Sequence, residues 1–172
     1  MTLTRTYSVR GLEPLVAAQL RRADDAGRRP TVVVDREGGS PLRCCLHLSR
    51  PGETILLVSY APLRRWCAEH GADPAAYDEV GPIFIHPDGC PGPDGDGWPA
   101  ELRGRPRVLR TYDANGRLIG GRLVAAADDP DQVIAELAAD PHVALVHARA
   151  VVAGCFTFRV ELHDRRPDRY GR

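Results

Sequence analysis

The chain has 172 residues, 43% of them apolar, which suits one domain with a proper core. Its 23 basic and 23 acidic residues cancel, so it lacks the basic excess of a nucleic-acid binder, and no nucleic-acid partner is expected. All the basic residues are arginine. That excludes Schiff-base and pyridoxal-phosphate attachment, a P-loop lysine and a lysine general base, and leaves anions to arginine forks, histidines or backbone N–H groups.

Residues 1–12 carry no apolar leader segment, and no apolar run approaches the ~20 residues of a membrane span. No membrane partner is therefore expected. Five cysteines without a secretory signal read as reduced thiols or metal ligands in a cytoplasmic protein.

In chain order, residues 4–9 alternate polar with apolar and predict a strand. Glu13 and Pro14 open a helix with Leu15, Val16, Leu20 and Ala23 on its apolar face and Asp24 solvated. Residues 31–34 are a short β-branched strand. Residues 42–48 and 53–60 predict an antiparallel hairpin through Ser49-Arg50-Pro51-Gly52, whose Pro-Gly pair suits a type II turn.

Residues 63–70 predict a short helix and residues 81–86 a buried strand, while residues 87–98 are a Gly/Pro-rich loop. Residues 107–113 and 117–124 flank Ala114-Asn115-Gly116 as a second hairpin. Asp129-Pro130-Asp131 starts a helix, since proline fits the first turn and acids its positive end. Two last strands cover residues 142–152 and 155–162, and a charged tail runs from residue 163 to 172. About seven strands and two main helices give an α+β domain with a largely antiparallel sheet.

Several phrases recur in the order of a known family: residues 43–46 (RCCL), 51–53 (PGE), 59–62 (SYAP), 81–86 (GPIFIH), 108–113 (VLRTYD) and 146–158 (VHARAVVAGCFTF). Over residues 42–160 the chain resembles an uncharacterised bacterial family, the domain of unknown function 1203. The resemblance implies a small stand-alone bacterial domain and no established activity. Leu42 and Ala150 stand where that family often carries cysteine and asparagine. Matching positions with chemical potential are His86, Cys90, Arg110, Asp113, His147, Arg149 and Cys155.

Three chemistries follow from the residues. Cys155 and His147, with seven residues between them across a predicted turn, form a catalytic pair if imidazole and thiol meet. His86 and Cys90, with three residues between them, are candidate metal ligands, and Cys44 or Cys45, His147 and Cys155 are available to complete a tetrahedral zinc set. Cys44 and Cys45, adjacent in a predicted strand, point to opposite faces, so only one joins. Arg110 and Arg149 lie amid apolar positions and need an internal acid such as Asp113 or Glu161, or a bound anion.

Asp94-Gly-Asp96-Gly falls short of a calcium loop. No GxSxG, HExxH, GxGxxG or GxxxxGK[ST] occurs, so NAD, flavin nucleotide and ATP chemistry have no sequence support. The leading expectation is a small-molecule enzyme with a Cys/His site, in which Arg110, Arg149 and Asp113 hold an anionic substrate. The alternative is a non-catalytic ligand- or partner-binding domain with a structural zinc on Cys/His ligands. His86, Cys90, His147 and Cys155 are expected to meet in one pocket bordered by the loop of residues 87–98.

Overall fold

The computed structural model describes residues 5–164. The chain is α+β, with two antiparallel sheets in place of the single sheet expected. β1 (Arg5–Arg10), α1 (Pro14–Leu20), β2 (Thr31–Asp35), β3 (Glu53–Tyr60), α2 (Pro62–His70) and β4 (Gly81–Ile85) make the first half. β5 (Arg107–Tyr112), β6 (Leu118–Val124), α3 (Pro130–Ala138), β7 (Leu145–Ala150) and β8 (Phe156–Asp164) make the second. The larger sheet runs β1-β8-β7-β5-β6 and the smaller β2-β3-β4. Among the described residues, no helix is long and apolar enough to cross a membrane.

The larger sheet is covered on both faces. On one, Val133 and Ile134 of α3 pack with Leu109, Val146, Ala148, Phe158 and Val160. The helix starts as its sequence predicts, with the Asp129 carboxylate accepting from the Asp131 N–H at 3.0 Å and Pro130 in the first turn. Trp98 plugs the edge of this core, edge-on to Phe158 with ring centroids 5.0 Å apart. On the other face, Leu63, Trp66 and Cys67 of α2 cover Tyr112 and Leu145. A third cluster joins α1, the smaller sheet, Cys44, Cys45 and Phe156.

The β5–β6 hairpin forms as predicted. Asp113 accepts the N–H groups of Asn115 and Arg117, both at 2.9 Å, and Gly116 adopts φ 77°. Three expectations give way. Residues 42–48 are not a strand: Leu42 bridges Phe84, Pro41 bridges Leu48, and residues 43–45 turn between them. The partners of β3 are therefore β2 and β4, although Gly52 does take the positive φ of the expected turn. In α1, Leu15 is exposed while Ala17 and Leu20 are buried.

Asp24, expected in solvent, is the third. Its carboxylate accepts from the backbone N–H of Ala26, Arg28 and Ser59. Burial raises its pKa, but those donors outweigh burial and hold it below the ordinary aspartate value. It ties the end of α1 to β3, a tertiary role that helical periodicity does not reveal. At the other end, residues 163 and 164 belong to β8, and residues 165–172 of the charged tail lie outside the described residues.

Candidate functional site

Cys44, Cys45, His86 and Cys90 come together where three segments meet. One ligand atom from each lies within 4.8 Å of all the others. The turn at residues 43–45 supplies two of them. Leu46 N–H donates to the Leu42 carbonyl at 2.8 Å and Leu42 N–H to the His47 carbonyl at 2.8 Å, and Leu46 takes the left-handed φ of 63°. A branched residue in that region stores about 1–2 kcal/mol, and such strain recurs at functional sites. Because the backbone turns instead of running extended, both adjacent thiols face the same way. The expectation that only one joins is corrected on this ground.

The turn is pinned from two sides. Arg43 N–H donates to the Phe84 carbonyl of β4 at 2.9 Å, and the Arg43 carbonyl accepts from Leu12 N–H at 2.8 Å. Gly11 makes this second approach possible: a Cβ there would stand 2.8 Å from the Arg43 carbonyl oxygen. The Arg43 side chain is buried, and its Nε and Nη1 donate to the Phe156 and Pro41 carbonyls. Burial depresses its pKa to about 10.

His86 follows β4 and faces the turn. Its Nδ1 is 3.3 Å from Cys44 Sγ and 3.8 Å from Cys45 Sγ, while its Nε2 lies 3.0 Å from Glu53 Oε1. Its backbone N–H points to Cys44 Sγ at 3.4 Å, and its carbonyl accepts from Arg21 Nε at 3.0 Å. Cys90 arrives from the Gly/Pro-rich loop. Its half-buried thiol and Cys44 line a cleft of about 350 Å³ with Arg10, Glu13 and Arg21.

The thiols are electrostatically distinct. Cys44 is pushed up to about 12, first by its hydrogen bond to Cys45 and then by burial. The same bond lowers Cys45, and burial raises Cys90.

The other predicted residues lie elsewhere. His147 is fully buried in β7 against Tyr112 and Phe156, each ring about 5.1 Å away, and its Nδ1 has no hydrogen-bond partner among the described residues. Burial, followed by the charges of Arg149, Arg159 and Arg110, drives its pKa well below 6.5. It borders a narrow crevice with Arg159, Trp66 and Tyr60. Cys155 borders a different cleft with Arg149 and Glu79. Of the four residues expected in one pocket, the structure gathers His86 and Cys90, joined by Cys44 and Cys45, and gives His147 and Cys155 separate surroundings.

Arg110 and Arg149 share Glu79. Arg110 Nη1 reaches its two oxygens at 2.8 and 2.9 Å, and Arg149 Nη2 lies 2.7 Å from Oε2. Glu79 and Glu53 are the residues that sequence reasoning missed, since ordinary acids in a loop and at a strand start give no local signal of the partner they meet. Asp113 is engaged in its hairpin turn. Asp94 and Asp96, the calcium hint, pair with His47 and Arg10.

A family described as protein of unknown function (DUF1203) matches residues 39–162. All four clustered residues fall within that stretch, and the chain belongs to this family. No curated protein and no solved structure matches it.

Proposed function

We propose that this member of the family is a zinc-binding domain in which Cys44, Cys45, Cys90 and His86 close around one ion that has a structural role. The observation that carries the reading is the convergence of four soft donors from three segments within 4.8 Å. Around a tetrahedral zinc, with bonds of ~2.3 Å to sulfur and ~2.0 Å to nitrogen, donors stand about 3.5–3.8 Å apart. The 3.3 and 3.8 Å separations of His86 Nδ1 from the two thiols approach that spacing.

Thiolate and imidazole donors suit zinc, and four protein donors leave no open position for a substrate. Glu53 behind His86 supplies the carboxylate that commonly orients a metal-bound imidazole. Such an ion would fasten the turn at residues 43–45 to the end of β4 and to the loop of Cys90. These are segments with little regular hydrogen bonding of their own. The reading needs reduced thiols, as in a cytoplasm. It does not pass through Cys155 and His147, which border different clefts.

The test is elemental analysis of the purified full chain together with its Cys45→Ser and Cys90→Ser variants. One zinc per wild-type chain, and less in both variants, is expected. A metal-free wild-type protein that also takes up no added zinc would overturn the proposal.

A further inference from the structure

A second site, independent of the metal cluster, lies where β7 turns into β8. Arg149 leaves β7 with its side chain only 7% exposed. Nη1 donates to the Gly154 carbonyl at 3.1 Å. Nη2 stands 2.7 Å from Glu79 Oε2 but out of hydrogen-bond alignment, and Nε has no acceptor among the described residues. A buried guanidinium left with unsatisfied donors is costly. Arg110 takes both oxygens of the same Glu79. One carboxylate thus serves two arginines and leaves an excess positive charge. Arg159 nearby has acids of its own, Glu161 at 2.7 Å, Glu69 at 3.7 Å and Glu13 at 4.0 Å, but among the described residues none of the three pairs with Arg149 or Arg110.

Glu79 is the movable part. It lies in the stretch between the single 3-10 turn Ala75–Tyr77 and β4, where Asp78, Glu79 and Val80 are all exposed. Its side chain is 44% exposed, and the solvent-facing pair it makes with Arg110 is of the kind that holds only weakly. Beside it opens a cleft of about 300 Å³, walled by Tyr60, Pro62, Val80 and Phe156, with Arg149 and Cys155 also lining it.

We infer that this cleft binds a small carboxylic acid, whose carboxylate takes the place Glu79 holds between Arg149 and Arg110. Glu79 is then an internal competitor. The place is already fitted to a planar group with two oxygens, and the rest of the wall is largely apolar, offering little to the further oxygens of a phosphate. The volume is at the small end of ligand pockets and suits an acid with a compact apolar body.

The probe is benzoate, with benzamide as its uncharged counterpart and inorganic phosphate as the alternative anion, titrated calorimetrically into the full chain. Removing the competitor raises the competent fraction, so Glu79→Ala binds benzoate about five- to tenfold more tightly than wild type. Adding Arg110→Ala to that variant weakens benzoate by about tenfold or more, the loss of a charge-assisted hydrogen bond. Circular dichroism verifies that both variants are folded. Because Cys155 lines the cleft, benzoate also slows its alkylation by iodoacetamide, read by peptide mass mapping. Benzamide binding equal to benzoate, tighter binding of phosphate, no gain in Glu79→Ala, or unprotected Cys155 would each overturn the inference.

Discussion

Glu53 stands behind His86, its Oε1 3.0 Å from the ring Nε2, while the ring Nδ1 faces the thiols of Cys44 and Cys45. A carboxylate in this position takes the Nε2–H, so the lone pair of Nδ1 is directed at the cluster. Glu53→Gln is expected to lower zinc affinity by about 10–100-fold while leaving one ion per chain at saturation. Competition against a chromogenic chelator measures this. Unchanged affinity would detach Glu53 from the site.

Gly11 guards the approach of the cysteine turn. A methyl at this position meets the Arg43 carbonyl oxygen at 2.8 Å, which is backbone and cannot swing aside. Gly11→Ala should destabilise the fold by about 1–3 kcal/mol, as overpacking does. It should also displace Cys44 and weaken zinc. Denaturant unfolding with and without the metal reads both effects, and a variant as stable as wild type would contradict the packing.

Arg43 is held by carbonyl groups, through the Nε bond to Phe156 at 2.8 Å and the Nη1 bond to Pro41. Arg43→Ala removes these donors from the buried Phe156 carbonyl and the part-buried Pro41 carbonyl, at about 1–3 kcal/mol for a buried group left unsatisfied. The expected outcome is a loss of about 2–5 kcal/mol in chemical denaturation. A loss below about 1 kcal/mol would mean that water replaces the guanidinium without penalty.

His147 gives the fold an acid sensitivity with a definite sign. Its folded pKa lies well below 6.5. Above pH 6.5 the imidazole is neutral in both folded and unfolded chains and has no effect. As pH falls below 6.5 the unfolded chain takes up a proton that the fold refuses, so stability falls by up to about 1.4 kcal/mol per pH unit.

The groups around it are Arg149 on its own strand, Arg110 and Tyr112 on β5, and Arg159 on β8. Tyr60 of β3, Arg65 and Glu69 of α2, and Glu13 share its crevice. All of them are retained in His147→Gln, so the difference between the two pH profiles isolates the histidine. The variant should lose less stability than wild type between pH 6.5 and 5. Parallel profiles would refute the assignment.

Local chemistry made much of this fold legible. Asp129-Pro130 marked the start of α3, Ala114-Asn115-Gly116 marked the β5–β6 turn, and residues 155–162 were legible as the last strand. The partition into two sheets was not legible, because strand neighbours depend on contacts far apart in sequence. Residues 42–48 read as a strand by composition, yet the burial of Arg43 against Phe156 and the turn closed at Leu46 override that pattern. The same override hid half of the Cys/His cluster. His86 and Cys90 were visible from their spacing, whereas the joint use of Cys44 and Cys45 depends on a backbone turn that alternating-strand logic forbids.

Cobalt substitution tests the central claim most directly. The full chain, stripped of metal and titrated with Co(II) under reducing conditions, should take up one ion. It should then develop the strong visible bands of a tetrahedral site and the near-ultraviolet bands of thiolate ligation. One equivalent of zinc should abolish both, and Cys44→Ser, Cys45→Ser, Cys90→Ser and His86→Ala should each weaken them. A pale octahedral spectrum, or bands unaffected by these four substitutions, would contradict the account.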